Sequence, residues 1–203
     1  ETEGGGRAHR REKSAGGIGG RKGVGVGAVL FNPRFESERH GYDTVDFYRI
    51  DRRLGTNEEF KALVQSFHEA GIRVVLDGVF NHVGRMFPPF REVLEKREGT
   101  DYRFWFNINF YGNSRYNDGL DYENWEGHPE LVKLRLENQD VQNYLMDAVR
   151  FWIREFGIDG LRLDVSYLLP PWFMELLRRT VNAEKCEFFL VGEVIHKNNF
   201  QPN

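Results

Sequence analysis

IRVVLDGVFNH, the stretch from Ile72 to His82, decides the fold. Its first half is apolar apart from Arg73 and rich in β-branched residues, as expected of a strand covered on both faces. Its second half carries Asp77, Asn81 and His82, polar groups set where such a strand would meet solvent. Just upstream, Thr56 is followed three residues later by Glu59, the signature of a capping box that opens a helix. Phe60, Leu63, Val64 and Phe67 then share one helical face, and Gly71 is placed to end the helix. Further upstream, GAVLFNP reads as a buried strand stopped by Pro33, and GYDTVDFYRID, residues 41–51, reads as a polar loop.

Downstream, residues 81–139 are dense in aromatic, Asn, Gly and charged side chains and too long for a simple connection, so they read as an inserted, folded excursion. A helix starts near Asp140, with Val141, Tyr144, Leu145, Ala148, Trp152 and Phe156 on one face, and ends at Gly157. The strand GLRLDV follows. Pro171 then opens a helix that runs to about Val181, and FFLVGEV forms a last strand covered up to Glu193. Strands that alternate with helices and read as apolar runs predict an α/β fold with a parallel sheet. Tyr42, Asp77 to His82, Arg162 with Asp164, and Glu193 gather just past the strands. Groups collected there mark either a β/α barrel or a doubly wound sheet.

The chain has 203 residues, enough for one domain with a substantial core. A formal net charge of −3 gives no reason to expect nucleic acid or acidic lipid as a partner. No apolar run is long enough to span a membrane. The single cysteine, Cys186, excludes an internal disulfide framework and favours a reducing, cytoplasmic setting. Residues 1–23 are Gly- and Arg-rich and aperiodic, and read as a disordered or aberrant segment ahead of a domain spanning 24–203. GVGVG precedes a strand instead of following one, so it does not read as a phosphate loop.

The chemistry lies in Asp164 and Glu193. Each closes a short apolar run, and two carboxylates at neighbouring strand ends are what cleavage of a glycosidic bond requires. Arg162 lies two residues before Asp164, so on a strand both side chains share a face. Its cation favours the ionised form of Asp164.

DGVFNH (Asp77–His82), GLRLDV (Gly160–Val165) and GEVIH (Gly192–His196) resemble, in order, three signatures of the α-amylase family of glycoside hydrolases. HGYDTVDFYRIDRRLGT resembles the loop and helix start that precede the first signature. FPPFREVLEK and FWIREFGIDGLRLDV are similar to the neopullulanase and cyclomaltodextrinase branch. The resemblance implies a (β/α)8 TIM barrel, with the strands here corresponding to its second through fifth and the excursion following its third. It implies a retaining hydrolase of α-glucans or maltodextrins, in which Asp164 forms a covalent glycosyl-enzyme and Glu193 serves as acid and then base. It further implies that His82 hydrogen-bonds the sugar and Tyr42 stacks under it. Asp77 would brace Arg162, and His196 would line a neighbouring subsite. Asn81 matches a calcium ligand of many members, but this branch often lacks that site, so calcium is admitted and no cofactor is required. The expected partner is an oligosaccharide or polysaccharide; oligomeric state is left open.

Two alternatives stay open. Transglycosylases and glucoside isomerases of the family use the same two acids, and some relatives keep the barrel without catalysis. The family's third carboxylate, an Asp in a fourth signature, has no counterpart before Asn203. The chain alone is therefore expected to be marginally stable and inactive, with sheet edges unpaired.

Overall fold

The computed structural model describes residues 25–194. The segment 1–23 and His196 lie outside the described residues.

In chain order the strands and helices are β1 (Ala28–Phe31), β2 (Phe35–Ser37), β3 (Thr44–Ile50), α1 (Asn57–Glu69), β4 (Arg73–Gly78), β5 (His82–Gly84) and α2 (Pro88–Lys96). Then come β6 (Ile108–Asn109), β7 (Asp121–Tyr122), β8 (Asn124–Trp125), β9 (His128–Lys133), α3 (Gln139–Phe151), β10 (Gly160–Leu163), α4 (Pro171–Glu184) and β11 (Phe189–Gly192). Four of these strands form one parallel sheet in the order β1-β4-β10-β11. Each strand lies beside its successor in the chain, and α1, α3 or α4 makes the crossover. A doubly wound sheet would reverse direction at a switch point. The sequential order is that of a barrel wall, so the fold is a partial α/β barrel.

Local chemistry explains the elements. The Thr56 side chain accepts from the Glu59 backbone N–H and the Glu59 carboxylate accepts from the Thr56 N–H, which satisfies two orphan donors at the start of α1. Phe60, Val64 and Phe67 of that helix are buried against the sheet. Gly71 takes a left-handed φ of 71°, where a side chain would be strained. Asn138 caps α3 by accepting from the N–H groups of Asp140 and Val141. That helix widens into a π-helical turn over Trp152–Phe156 and stops at Gly157, φ 73°. Within this turn, Trp152 is fully buried, stacks on Phe35 at 4.4 Å and donates its indole N–H to the Phe47 carbonyl at 2.6 Å.

Residues 41–51 do not form a polar loop throughout. Thr44–Ile50 is strand β3, paired antiparallel with β2. Register shifts in that pairing spread its buried residues to Thr44, Phe47 and Ile50, so the alternation that marks a strand is lost. The expected burial of FFLVG also fails. Phe188 is buried, but Phe189 is 53% exposed and Val191 40%, because β11 is the outer strand of the sheet among the described residues. Leu30 on the other outer strand is 49% exposed. Between β4 and α3 lies a body built on α2, the antiparallel sheet β5-β9-β8 and the pair β6-β7. α4 runs three residues past Val181.

Candidate active site

Arg162 organises the site. In the parallel ladder it lies opposite Asp77, so both side chains project from the same level of adjacent strands. Its Nη1 donates to both oxygens of Asp77 at 2.7 Å and to Asp164 Oδ1 at 3.1 Å. Its Nη2 meets Glu193 Oε1 at 2.9 Å. One planar guanidinium therefore holds three carboxylates from β4 and from the ends of β10 and β11. Tyr42, from the loop before β3, donates its hydroxyl to Asp77 Oδ2 at 3.2 Å.

The backbone fixes the two outer acids. The Asp164 N–H donates to the Gly78 carbonyl at 3.1 Å, and the Glu193 N–H to the Leu163 carbonyl at 3.0 Å, which extends the ladder just past the strand ends. Val165 is left-handed, φ 42°, and its N–H reaches Glu193 Oε2 at 3.0 Å. For a β-branched residue that conformation is strained, and strain of this kind concentrates at functional sites. Ser166 Oγ donates to the Glu193 carbonyl at 2.6 Å. Gly192 permits this contact, because a Cβ there would lie 2.5 Å from Ser166 Oγ. Neither Val165 nor Ser166 is marked by the sequence. A Val in a strand-like run signals nothing left-handed, and a Ser after an acid is common in turns.

The charges at this centre do not balance, with three acids facing one cation. Burial first, and then the Asp77 charge, push the Asp164 carboxyl up to about 6, with Glu193 adding to the rise and Arg162 opposing it. Arg162 thus limits the rise without cancelling it, and Asp164 remains mostly ionised at neutral pH. Burial likewise raises Asp77, against Arg162. Burial, followed by the Asp77 charge, raises Tyr42.

His82 opens β5 and is 2% exposed. Burial, with His40 adding to it, lowers its imidazole to about 4, so the ring is neutral. Its Nδ1 pairs with the Asn81 amide at 3.2 Å. That contact uses the Asn81 amide nitrogen and not its oxygen. Among the described residues no group of three or more His, Cys, Asp or Glu side chains could hold a metal ion.

The alpha-amylase catalytic-domain family matches residues 21–201. The chain belongs to the α-amylase family. It is 41% identical over 177 residues to a cyclomaltodextrinase of a Bacillus species, covering 87% of this chain and 32% of that protein. It is 41% identical over 175 residues to neopullulanase 2 of Thermoactinomyces vulgaris, covering 85% and 30%. Among solved structures, a cyclomaltodextrinase superposes with a TM-score of 0.82 at 40% identity, over 89% of this chain and 31% of that one. The debranching enzyme of Nostoc punctiforme gives 0.82 at 37% identity, over 89% and 38%. The chain thus spans about a third of the length of the curated relatives it matches. No helix among the described residues is long and apolar enough to cross a membrane.

Proposed function

We propose that the whole protein is a retaining hydrolase of α-linked glucans, maltodextrins above all, working through a covalent glycosyl-enzyme. The observation that carries this reading is the shared guanidinium, which ties Asp164 and Glu193 to one point. In the first step an Asp164 oxygen attacks the anomeric carbon as the glycosidic C–O bond breaks, and Glu193 gives its proton to the departing oxygen. In the second step water attacks the same carbon, Glu193 takes the water's proton, and the bond to Asp164 breaks. The sugar keeps its α configuration. Glu193 reaches the leaving oxygen by turning off Arg162 and the Val165 N–H. Arg162 then compensates the remaining negative charge at Asp77 and Asp164, and Tyr42 and His82 flank the sugar. The two carboxylates need no cofactor. The lone cysteine, Cys186, is free and exposed, which suits a reducing compartment.

The relatives' names support the substrate class, since they include a cyclomaltodextrinase, a neopullulanase and a hydrolase of cyclic maltosyl-maltose from Arthrobacter globiformis. These 203 residues alone are proposed to be inactive, because among the described residues the outer strands of the parallel sheet expose Leu30, Phe189 and Val191. Incubating the whole protein with maltoheptaose and following the anomeric protons by NMR tests the reading. The α anomer forming first supports it. A β anomer forming first, or no hydrolysis, refutes it; a longer glucan as the main product indicates transglycosylation.

A further inference from the structure

The inserted body carries an open cleft of about 740 Å³. That volume is in the range of small-ligand sites, about 300–1,000 Å³. None of Asp77, Arg162, Asp164 and Glu193 lines it, so it is not the catalytic site. The buried Phe106 forms part of its lining and bridges to Leu134, whose N–H donates to the Asn81 carbonyl at 2.9 Å. Backbone hydrogen bonds thus tie the cleft to the chain just before His82.

Two aromatic rings stand in water at this cleft. Phe104 lines it and is 46% exposed; Tyr111 follows the lining residue Phe110 and is 95% exposed. One exposed ring calls for no explanation, but these two are held in place beside a cavity. The Arg103 guanidinium lies over the Phe104 ring at 4.6 Å. The turn that presents Tyr111 is closed twice: Gly112 N–H donates to the Asn109 carbonyl at 3.2 Å, and Tyr111 N–H to Asn109 Oδ1 at 3.0 Å. Gly112 lets this turn lie against the wall, since a Cβ there would fall 2.7 Å from the Asp121 Cβ. Asn109 and Asp121 both line the cleft, which puts the Tyr111 turn at its rim. A side chain fixed before binding loses less freedom when a ligand arrives.

The charges narrow the occupant. Glu98, Asp121 and Glu123 share the lining with Arg103 and Arg135. The acids outnumber the cations, which disfavours an anion, and charges of both signs disfavour an apolar helix. Glu123 is paired with Lys133 and with the Asn107 amide at 2.6 Å. The Glu98 carboxylate and the Arg135 guanidinium have no side-chain partner among the described residues. A neutral chain of hydroxyls suits this set, because a hydroxyl donates to a carboxylate and accepts from a guanidinium. The apolar faces of sugar rings suit exposed aromatics.

We propose that this cleft is a second, non-catalytic glucan-binding site, which holds a polymeric α-glucan against Phe104 and Tyr111. The α-glucan class rests on the glycosidase reading; the cleft itself rests on its own geometry. The site gives the inserted body a part in retaining long substrates and none in cleaving short ones.

The test uses the whole protein in two assays. Native electrophoresis through gels containing amylopectin measures retention, in a D164N background so that the polymer is not cut. Steady-state hydrolysis of maltotriose and thermal melting are measured with Asp164 intact. Phe104→Ala and Tyr111→Ala each remove one exposed ring and should weaken retention about fivefold. Phe104→Trp keeps a ring and should retain the polymer as before. In all three, kcat/KM on maltotriose and the melting temperature should stay at the wild-type values. Unchanged retention in both alanine variants would overturn the proposal. Retention that falls together with maltotriose hydrolysis would also overturn it, because the rings would then serve the catalytic site or the fold. Normal wild-type hydrolysis of maltotriose with no retention in D164N sinks this inference alone. A wild type that hydrolyses no α-glucan sinks the glycosidase reading, while retention lost in the alanine variants would still support the cleft.

Discussion

Replacing Asp164 with Asn should stabilise the fold at neutral pH, by an amount that vanishes in acid. In the folded chain the Asp164 carboxyl is raised from an ordinary 3.8 to about 6, by burial first and by Asp77 next. At about 1.4 kcal/mol per pH unit, holding this carboxylate ionised costs the fold roughly 3 kcal/mol. The side chain is only 7% exposed, so solvent screening takes little from that figure. The direction follows from the raised value. Below about pH 4 the group is protonated whether the chain is folded or not, and its contribution to stability is fully present. As pH rises through about 6, the unfolded chain ionises first and the contribution is lost. Asn carries no charge and escapes this loss. Urea unfolding of wild type and D164N, followed by circular dichroism from about pH 4 to pH 8, measures the difference. The D164N advantage should grow by about 3 kcal/mol across that range. A difference that stays flat, or that grows toward acid, would refute the reasoning.

Three further substitutions probe other parts of the account. Arg162→Gln leaves three acids facing one another and should cost about 3 kcal/mol in urea unfolding at pH 7, near the lower bound for breaking a buried pair because the guanidinium is 18% exposed. Gly192→Ala forces a Cβ to within 2.5 Å of Ser166 Oγ; chemical denaturation should show a loss of about 1–3 kcal/mol, with activity of the whole protein falling further because Glu193 moves. Thr56→Ala removes one half of the capping box and should cost about 1 kcal/mol by the same assay, with activity unchanged.

The parts of the fold set by local chemistry were readable from the residues alone. The β-branched run before Asp77 and the cap of α1 depend on near neighbours, and the structure has them where the sequence puts them. Strand β3 was missed because its register shifts against β2 erase the alternation of Thr44 to Ile50. The exposure of β11 could not be read, since covering a strand depends on what lies beside it. At the site, the pairing of Arg162 with Asp164 follows from their spacing of two on a strand. The meeting of Arg162 with Glu193, 31 residues on, requires the parallel ladder between β10 and β11.

The central claim is that Asp164 becomes bonded to the sugar. Incubating the whole protein with 5-fluoro-α-D-glucosyl fluoride and mapping its peptides by mass spectrometry tests this directly. One added fluoroglucosyl group is expected on the peptide containing Asp164, and none in D164N. An adduct on another carboxylate, or turnover of the reagent with no adduct at any time, would contradict it.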